Sequence, residues 1–195
     1  IAAMAEVPAV MPHLHLAVQS GSTRVLRAMN RKYTREEYLA LVGRLRAAMP
    51  DLALSTDIIV GFPGETEEDF QDTLSLVREA AFSSAYTFIY SRRPGTPAAE
   101  MPDDTPREVI QGRFDRLAEL VADQAHEANQ ADLGRLVSVL VEGSSKRDAG
   151  VLVGHSERNQ TVHFALPEGR AADELVGRVV DVRVEQARTW YLRGS

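Results

Sequence analysis

Apolar and polar positions change their period once along this chain, near Gly134. Before that point strand-like and helix-like patterns alternate. Leu14 and Leu16 alternate with His13 and His15 across His13–Val18, a two-residue period that predicts a strand. Leu52–Val60 is an apolar run with β-branched residues at its end, which predicts a strand buried on both faces. Ala85–Tyr90 predicts a third strand, rich in aromatics. The helices between them have legible starts. Thr34-Arg35-Glu36-Glu37 is a capping-box pattern, after which Tyr38, Leu41, Val42, Leu45 and Met49 recur at helical spacing. Thr66-Glu67-Glu68-Asp69 opens the next helix, with Phe70, Leu74 and Val77 on one side. Strands alternating with helices of this length predict a parallel sheet with right-handed crossovers, an α/β architecture.

A long helix follows. Thr105 is its expected N-cap, Pro106 its first residue and Glu108 its third. Ile110, Phe114, Leu117, Val121 and Ala125 form one apolar stripe. After Gly134 the period is two. Leu136–Glu142, Val151–His155, Thr161–Ala165, Arg178–Gln186 and Thr189–Leu192 are five short strand candidates separated by turn-rich stretches. Five strands in about sixty residues fit a small barrel of the oligonucleotide-binding kind. The expected units are residues 1–133 and 134–195.

Composition narrows the picture. The 195 residues suffice for one or two domains with a real core. A net charge of −6 argues against bulk electrostatic attraction to nucleic acid. The charge is uneven: 13 Lys+Arg face 20 Asp+Glu before Gly134, and 9 face 8 from it onward. The second unit is the better polyanion binder. No stretch reaches the length of a membrane span, and no partner membrane is expected. The chain opens at Ile1 and enters a strand pattern by His13, which reads as a fragment of a longer protein. There is no cysteine.

Parallel α/β sheets bind ligands at the carboxyl ends of their strands. Three stretches fall there: Gln19-Ser20-Gly21-Ser22, Gly61-Phe62-Pro63-Gly64-Glu65, and Tyr90-Ser91-Arg92-Arg93-Pro94-Gly95-Thr96-Pro97. Each alone is a loop of turn-formers; side by side they predict a shared ligand surface. Asp57 interrupts an apolar run and shares a strand face with Ser55 and Ile59. It is either a ligand contact or a structural carboxylate bonded to a neighbour. His13 and His15 share a face but lack a nearby third ligand, so they read as structural and no metal site is expected. Lys146 and Arg147 lie in a turn that could touch phosphate, with a solvated loop as the default. Trp190 and Tyr191 could stack on a base, with packing in the barrel expected for at least one.

Gln19-Ser20-Gly21-Ser22, Arg31-Lys32-Tyr33-Thr34, Asp57 to Thr66 and Tyr90 to Ala98 together resemble the radical S-adenosylmethionine methylthiotransferases. The part from Gly134 onward resembles their TRAM domain, opened by Val139-Leu140-Val141-Glu142-Gly143 and closed by Leu192-Arg193-Gly194. The resemblance covers essentially the whole chain. It implies the second half of a radical S-adenosylmethionine (β/α) barrel with a long final helix, then a small all-β, oligonucleotide-binding-like TRAM barrel. Ser55-Thr56-Asp57 and Arg93 ahead of Pro-Gly-Thr are similar to the branch acting on isopentenyladenosine in tRNA, rather than the branch acting on a ribosomal protein. A sister branch acting on threonylcarbamoyladenosine tRNA stays open. Ala17 stands where the family often has Pro, and Thr23 where it often has Asp or Asn; both departures are mild.

The resemblance implies an enzyme with S-adenosylmethionine and two 4Fe-4S clusters, an external electron donor, the tRNA anticodon stem-loop as partner, and a cytoplasmic setting. Carried over by position, Gln19, Ser20, Asp57, Gly61, Phe62 and Tyr90 would line the S-adenosylmethionine pocket. Arg93, Lys146, Arg147 and Trp190 would face RNA. The cluster-binding cysteines are absent, and thiolates are the usual ligands of such clusters. This piece is therefore expected to hold no catalytic residue, to bind no cofactor and to be inactive alone. A stand-alone RNA-binding module is the competing reading. A half-barrel exposes a strand edge, so self-association through that edge is also expected.

Overall fold

The computed structural model describes residues 1–195. A short helix, α1 (Ala2–Glu6), precedes β1 (His13–His15), α2 (Thr23–Ala28), α3 (Arg35–Ala48), β2 (Ala53–Val60), α4 (Glu67–Ala80) and β3 (Ser84–Ile89). A single 3-10 turn (Pro97–Glu100) then leads into α5 (Arg107–Gln130). The remainder comprises β4 (Leu136–Ser144), β5 (Val151–Ser156), β6 (Thr161–Ala165), α6 (Ala172–Leu175), β7 (Val179–Ala187) and β8 (Leu192–Gly194).

β1, β2 and β3 form a parallel sheet in that order, with β2 central. β1 and β3 each keep one edge without a strand partner. The helix starts follow from local chemistry. Thr34 and Glu37 close a full capping box on α3, and Thr66 and Asp69 do so on α4. Val42, Leu45, Phe70, Leu74 and Val77 then bury one face of each helix against Leu54, Ile58 and Val60 of β2, and Leu117 and Val121 of α5 complete this core. Beyond its three paired residues, the chain stays beside β2 through the Leu16 N–H, which donates to the Ser55 carbonyl (2.8 Å), and through Thr56, whose Oγ1 accepts from Val18 N–H (2.9 Å) and donates to the Leu16 carbonyl (2.8 Å).

Two expectations need correction here. β2 is not buried on both faces: Asp57 and Ile59 are half-exposed, because the sheet carries its helices on one side only at that end. Pro106 is the N-cap of α5 rather than its first residue, and no side chain caps that end.

The second unit is a closed barrel of order β4-β5-β6-β8-β7. Alternation fills it with Val137, Val139, Val141, Leu152, Val162, Phe164, Val182, Val184 and Leu192. Closure comes from β6 pairing parallel with the short β8. That last strand lies later than the alternation predicted. Arg188 N–H donates to the Tyr191 carbonyl (2.9 Å), so residues 188–191 form a turn and pairing starts at Leu192.

The two units are joined by polar groups at the end of α5. Asn129 donates to the carbonyls of Arg188 (2.7 Å) and Thr189 (3.1 Å) and accepts from Gln160 (3.0 Å). Asp132, only 2% exposed, accepts from Gln160 (2.7 Å) and pairs with Arg158 and Arg135 (3.3 Å each). A buried carboxylate of this kind is sustained only by such partners. Asp132→Ala leaves Arg158 without its acceptor and Gln160 with only Asn129, and should weaken docking by about 3 kcal/mol. Calorimetry should then resolve two melting transitions that lie closer together in the parent chain; an unchanged trace would contradict this role.

Candidate functional site

The loops after β1, β2 and β3 lie side by side at the carboxyl end of the sheet. A cleft of about 520 Å³ opens there, lined by Gln19, Asp57, Ile59, Phe88, Tyr90 and Arg93 among others. Four sequence-nominated residues thus converge: Gln19, Asp57, Tyr90 and Arg93.

Each reaches the cleft for a local reason. Gln19 has φ 71°, a left-handed conformation uncommon outside glycine. Its N–H donates to the Asp57 carbonyl and its own carbonyl accepts from Ile59 N–H (2.9 Å each), which hold it beside β2. Asp57 projects from the open face of β2. Its Oδ2 lies 3.4 Å from His15 Nε2, and His15 Nδ1 and His13 Nε2 both lie within hydrogen-bond distance of Ser55 Oγ (3.0 and 3.1 Å). The two histidines therefore belong to a polar row on the sheet face that leads to Asp57. Burial and the neighbouring His15 lower the His13 pKa. Tyr90 packs edge-on to Phe62, with centroids 5.2 Å apart, and its hydroxyl oxygen is buried without a partner. Arg92 is spent on the carbonyls of Ala99 (2.7 Å) and Met101 (3.3 Å), which fixes the loop and leaves Arg93 at the rim.

Ser20, Gly61 and Phe62 do not line this cleft. Ser20 and Gly21 are pressed onto α4: Gly21 N–H donates to Thr73 Oγ1 (2.9 Å), and a Cβ on Gly21 would stand 2.4 Å from Thr73 Cα. The N–H groups of Gly61 and Phe62 donate to Glu65 Oε2 (2.7 and 3.3 Å), so the turn's donors face its own carboxylate. Phe62 supports Tyr90 from behind. Lys146 and Arg147 stand exposed in the β4–β5 turn. Trp190 lies in a different cleft, at the amino end of the sheet. The two clefts lie at opposite ends of β3, whose six residues extend about 20 Å.

The first two loops are fixed to each other by Asp69. Ser22 Oγ donates to Oδ1 (2.6 Å), Thr66 N–H to Oδ2 (2.8 Å), and Arg24 forms a two-pronged pair with the same carboxylate while donating to the Gly64 carbonyl (2.6 Å). Burial opposes the charge, but the Arg24, Ser22 and Thr66 hydrogen bonds outweigh it and hold the Asp69 carboxyl well below the usual range.

Residues 1–77 match the Radical SAM superfamily, and residues 130–195 match the TRAM domain. Curated relatives align across both parts. The tRNA-2-methylthio-N(6)-dimethylallyladenosine synthase of Geobacillus kaustophilus is 54% identical over 186 residues, 95% of this chain and 34% of the relative. The proteins of that name from Acidothermus cellulolyticus and Acetivibrio thermocellus are 55% and 49% identical, over 96% and 100% of this chain and 37% and 40% of theirs. The chain thus joins a radical SAM superfamily segment to a TRAM domain and is similar, over nearly its whole length, to one part of these synthases. It spans between a third and two fifths of the length of these relatives. A solved radical SAM enzyme, coproporphyrinogen III oxidase from Escherichia coli, is only loosely similar, with TM-score 0.47 and 17% identity over 75% of this chain and 41% of that one.

Within this family frame the sheet is part of a radical SAM barrel and the β-barrel is the TRAM domain. The residues present do not fit an iron–sulfur cluster: there is no thiolate, and no three His, Asp or Glu converge. They do suit a polar, nucleoside-like ligand, given one carboxylate, one guanidinium, one aromatic ring with an orphaned hydroxyl, and apolar walls.

The Asp69 clamp makes a prediction about pH. Its folded pKa is depressed, so its contribution is complete above the unfolded value near 4 and is lost as pH falls below it. The urea midpoint of the sheet unit should begin to drop below about pH 5 and keep falling towards about pH 1. Asp69→Asn should cost about 2 kcal/mol at pH 7 and flatten that dependence. Parallel pH profiles for the two proteins would contradict it.

Proposed function

We propose that this chain is the part of a tRNA methylthiotransferase that forms one wall of its S-adenosylmethionine cleft and carries its RNA-binding barrel. The parent would convert N6-isopentenyladenosine beside the anticodon to its 2-methylthio form. The observation that carries the reading is the convergence of Gln19, Asp57, Tyr90 and Arg93 on one cleft in a chain about half identical to synthases of that name.

Asp57 suits the cationic portion of S-adenosylmethionine, and Gln19 can exchange hydrogen bonds with its ribose or amino-acid atoms. Ile59 and Phe88 offer apolar surface, and Tyr90 a hydroxyl that lacks a partner in the protein. Arg93 stands at the mouth, where an incoming phosphate or base edge would pass. When bound, S-adenosylmethionine supplies the radical precursor and the methyl group. The two 4Fe-4S clusters would be held by cysteines elsewhere in the parent, served by an external electron donor, and the setting would be cytoplasmic. No helix of this chain is long and apolar enough to cross a membrane.

The test uses the full-length gene product on tRNA that carries isopentenyladenosine, with nucleosides analysed by mass spectrometry. The expected product is the 2-methylthio derivative. Asp57→Asn should lower kcat/KM for S-adenosylmethionine by about tenfold or more, the value of one charge-assisted contact. Product only on threonylcarbamoyladenosine, or on a ribosomal protein, would overturn the substrate assignment.

A further inference from the structure

The outer face of the β-barrel carries a row of groups that neither the barrel core nor the S-adenosylmethionine cleft uses. On β6, Val162 and Phe164 point into the core, so Thr161 and His163 point outward and are half-buried. His163 pairs across to Arg193 of β8 and meets the Tyr191 ring edge-on, with centroids 5.2 Å apart. Partial burial and the Arg193 charge lower the His163 pKa, so at neutral pH this ring is an uncharged aromatic surface. Thr161, next on the same face, also lines a cleft of about 380 Å³ between the barrel and the amino end of the sheet.

That cleft extends the row. Trp190 lines it and is 59% exposed, unusual for the single tryptophan of the chain. Arg158 also lines it; its Nη1 is engaged by Asp132, but its Nε is buried and has no acceptor. Asn159, with φ 63°, and Tyr86, on the exposed face of β3, complete the polar wall.

We infer that a single-stranded RNA segment runs along His163, Tyr191 and Arg193 and delivers one nucleotide into the interdomain cleft against Trp190. The inference rests on the reading of this barrel as RNA-binding and assigns the face and the cleft that do it. Rings provide sequence-tolerant stacking, and the cation beside them suits the backbone. Duplex RNA is a poor fit, since its bases are not free to stack on side chains. Arg158 Nε would find in a phosphate or base oxygen the acceptor that the protein does not supply. The Lys146–Arg147 turn offers charge without any ring beside it and has no part in the path.

The experiment uses the 195-residue chain, a synthetic anticodon stem-loop RNA and a perfect duplex RNA of equal length, at low salt. Trp190 is the sole tryptophan, so its fluorescence reports directly on the cleft. Stem-loop RNA should quench it and duplex RNA should not. Tyr191→Ala, His163→Ala and Arg193→Gln should each weaken stem-loop binding by about tenfold, the value of roughly one stacked base. Tyr191→Phe should hold affinity within twofold, and matched melting curves should show that the variants fold. Arg170→Gln, an exposed cation after β6 that pairs with Glu174 and lines neither the row nor the cleft, should change nothing. Binding without quenching, equal binding of duplex, or loss through Lys146→Gln/Arg147→Gln with the aromatic variants intact would overturn the path while leaving the barrel an RNA binder. No binding at any salt would overturn the RNA-binding reading and this path with it.

Discussion

The carboxylate of Glu65 stands where three elements must agree. Its Oε2 takes the N–H groups of Gly61 and Phe62, which would otherwise be orphaned in the turn after β2. Arg113 of α5 faces it at 3.5 Å, also donates to the Glu65 carbonyl (3.0 Å), and reaches Glu67 (3.3 Å). Burial drives the Glu65 pKa upward, against the backbone donors of Gly61 and Phe62 and the charge of Arg113. Neither charge could stay buried alone. The pair therefore sets where α5 crosses the sheet, with Ile110 packed over Gly61 and Leu117 in the core. Everything downstream inherits that choice.

A second carboxylate, Asp69, performs the same service one loop away. Together the two explain why a Gly- and Ser-rich rim can be rigid. The glycines and serines are not loose; their donors are consumed by Glu65, Asp69 and Thr73. The cleft then needs few groups of its own, and those that line it, Gln19, Asp57, Tyr90 and Arg93, come from a scaffold already satisfied elsewhere.

That division explains how much the sequence disclosed. Helix starts were legible because Thr34–Glu37 and Thr66–Asp69 are local devices, complete within four residues. The strands other than the last, and the change of period near Gly134, were legible for the same reason. Gln19 and Asp57, which line the cleft, could be nominated because a polar residue just beyond a strand, or inside an apolar run, is conspicuous. Ser20, Gly61 and Phe62 looked equally conspicuous, but turn formers announce a backbone shape, not its use, and here the shape serves packing. Asn129 and Asp132 carried no signal: polar residues at the end of a helix usually meet water, and only tertiary structure brings Gln160 and Arg158 to them. Alternation on β6 could have nominated His163, but its company, Tyr191 and Arg193, depends on a parallel β6–β8 pairing that no local pattern predicts.

α5 is gripped at both ends, by Glu65 near its start and by the barrel at Asn129. Its 24 residues extend about 36 Å. A rod held this way behaves as a ruler with a phase. One residue added between the grips would lengthen it by only about 1.5 Å but would swing the barrel through about 100° around the helix axis. Changes of a whole number of turns, such as seven residues, would move the barrel while keeping its heading. Evolution of this spacing is thus confined to steps, and the barrel's bearing is harder to alter than its distance.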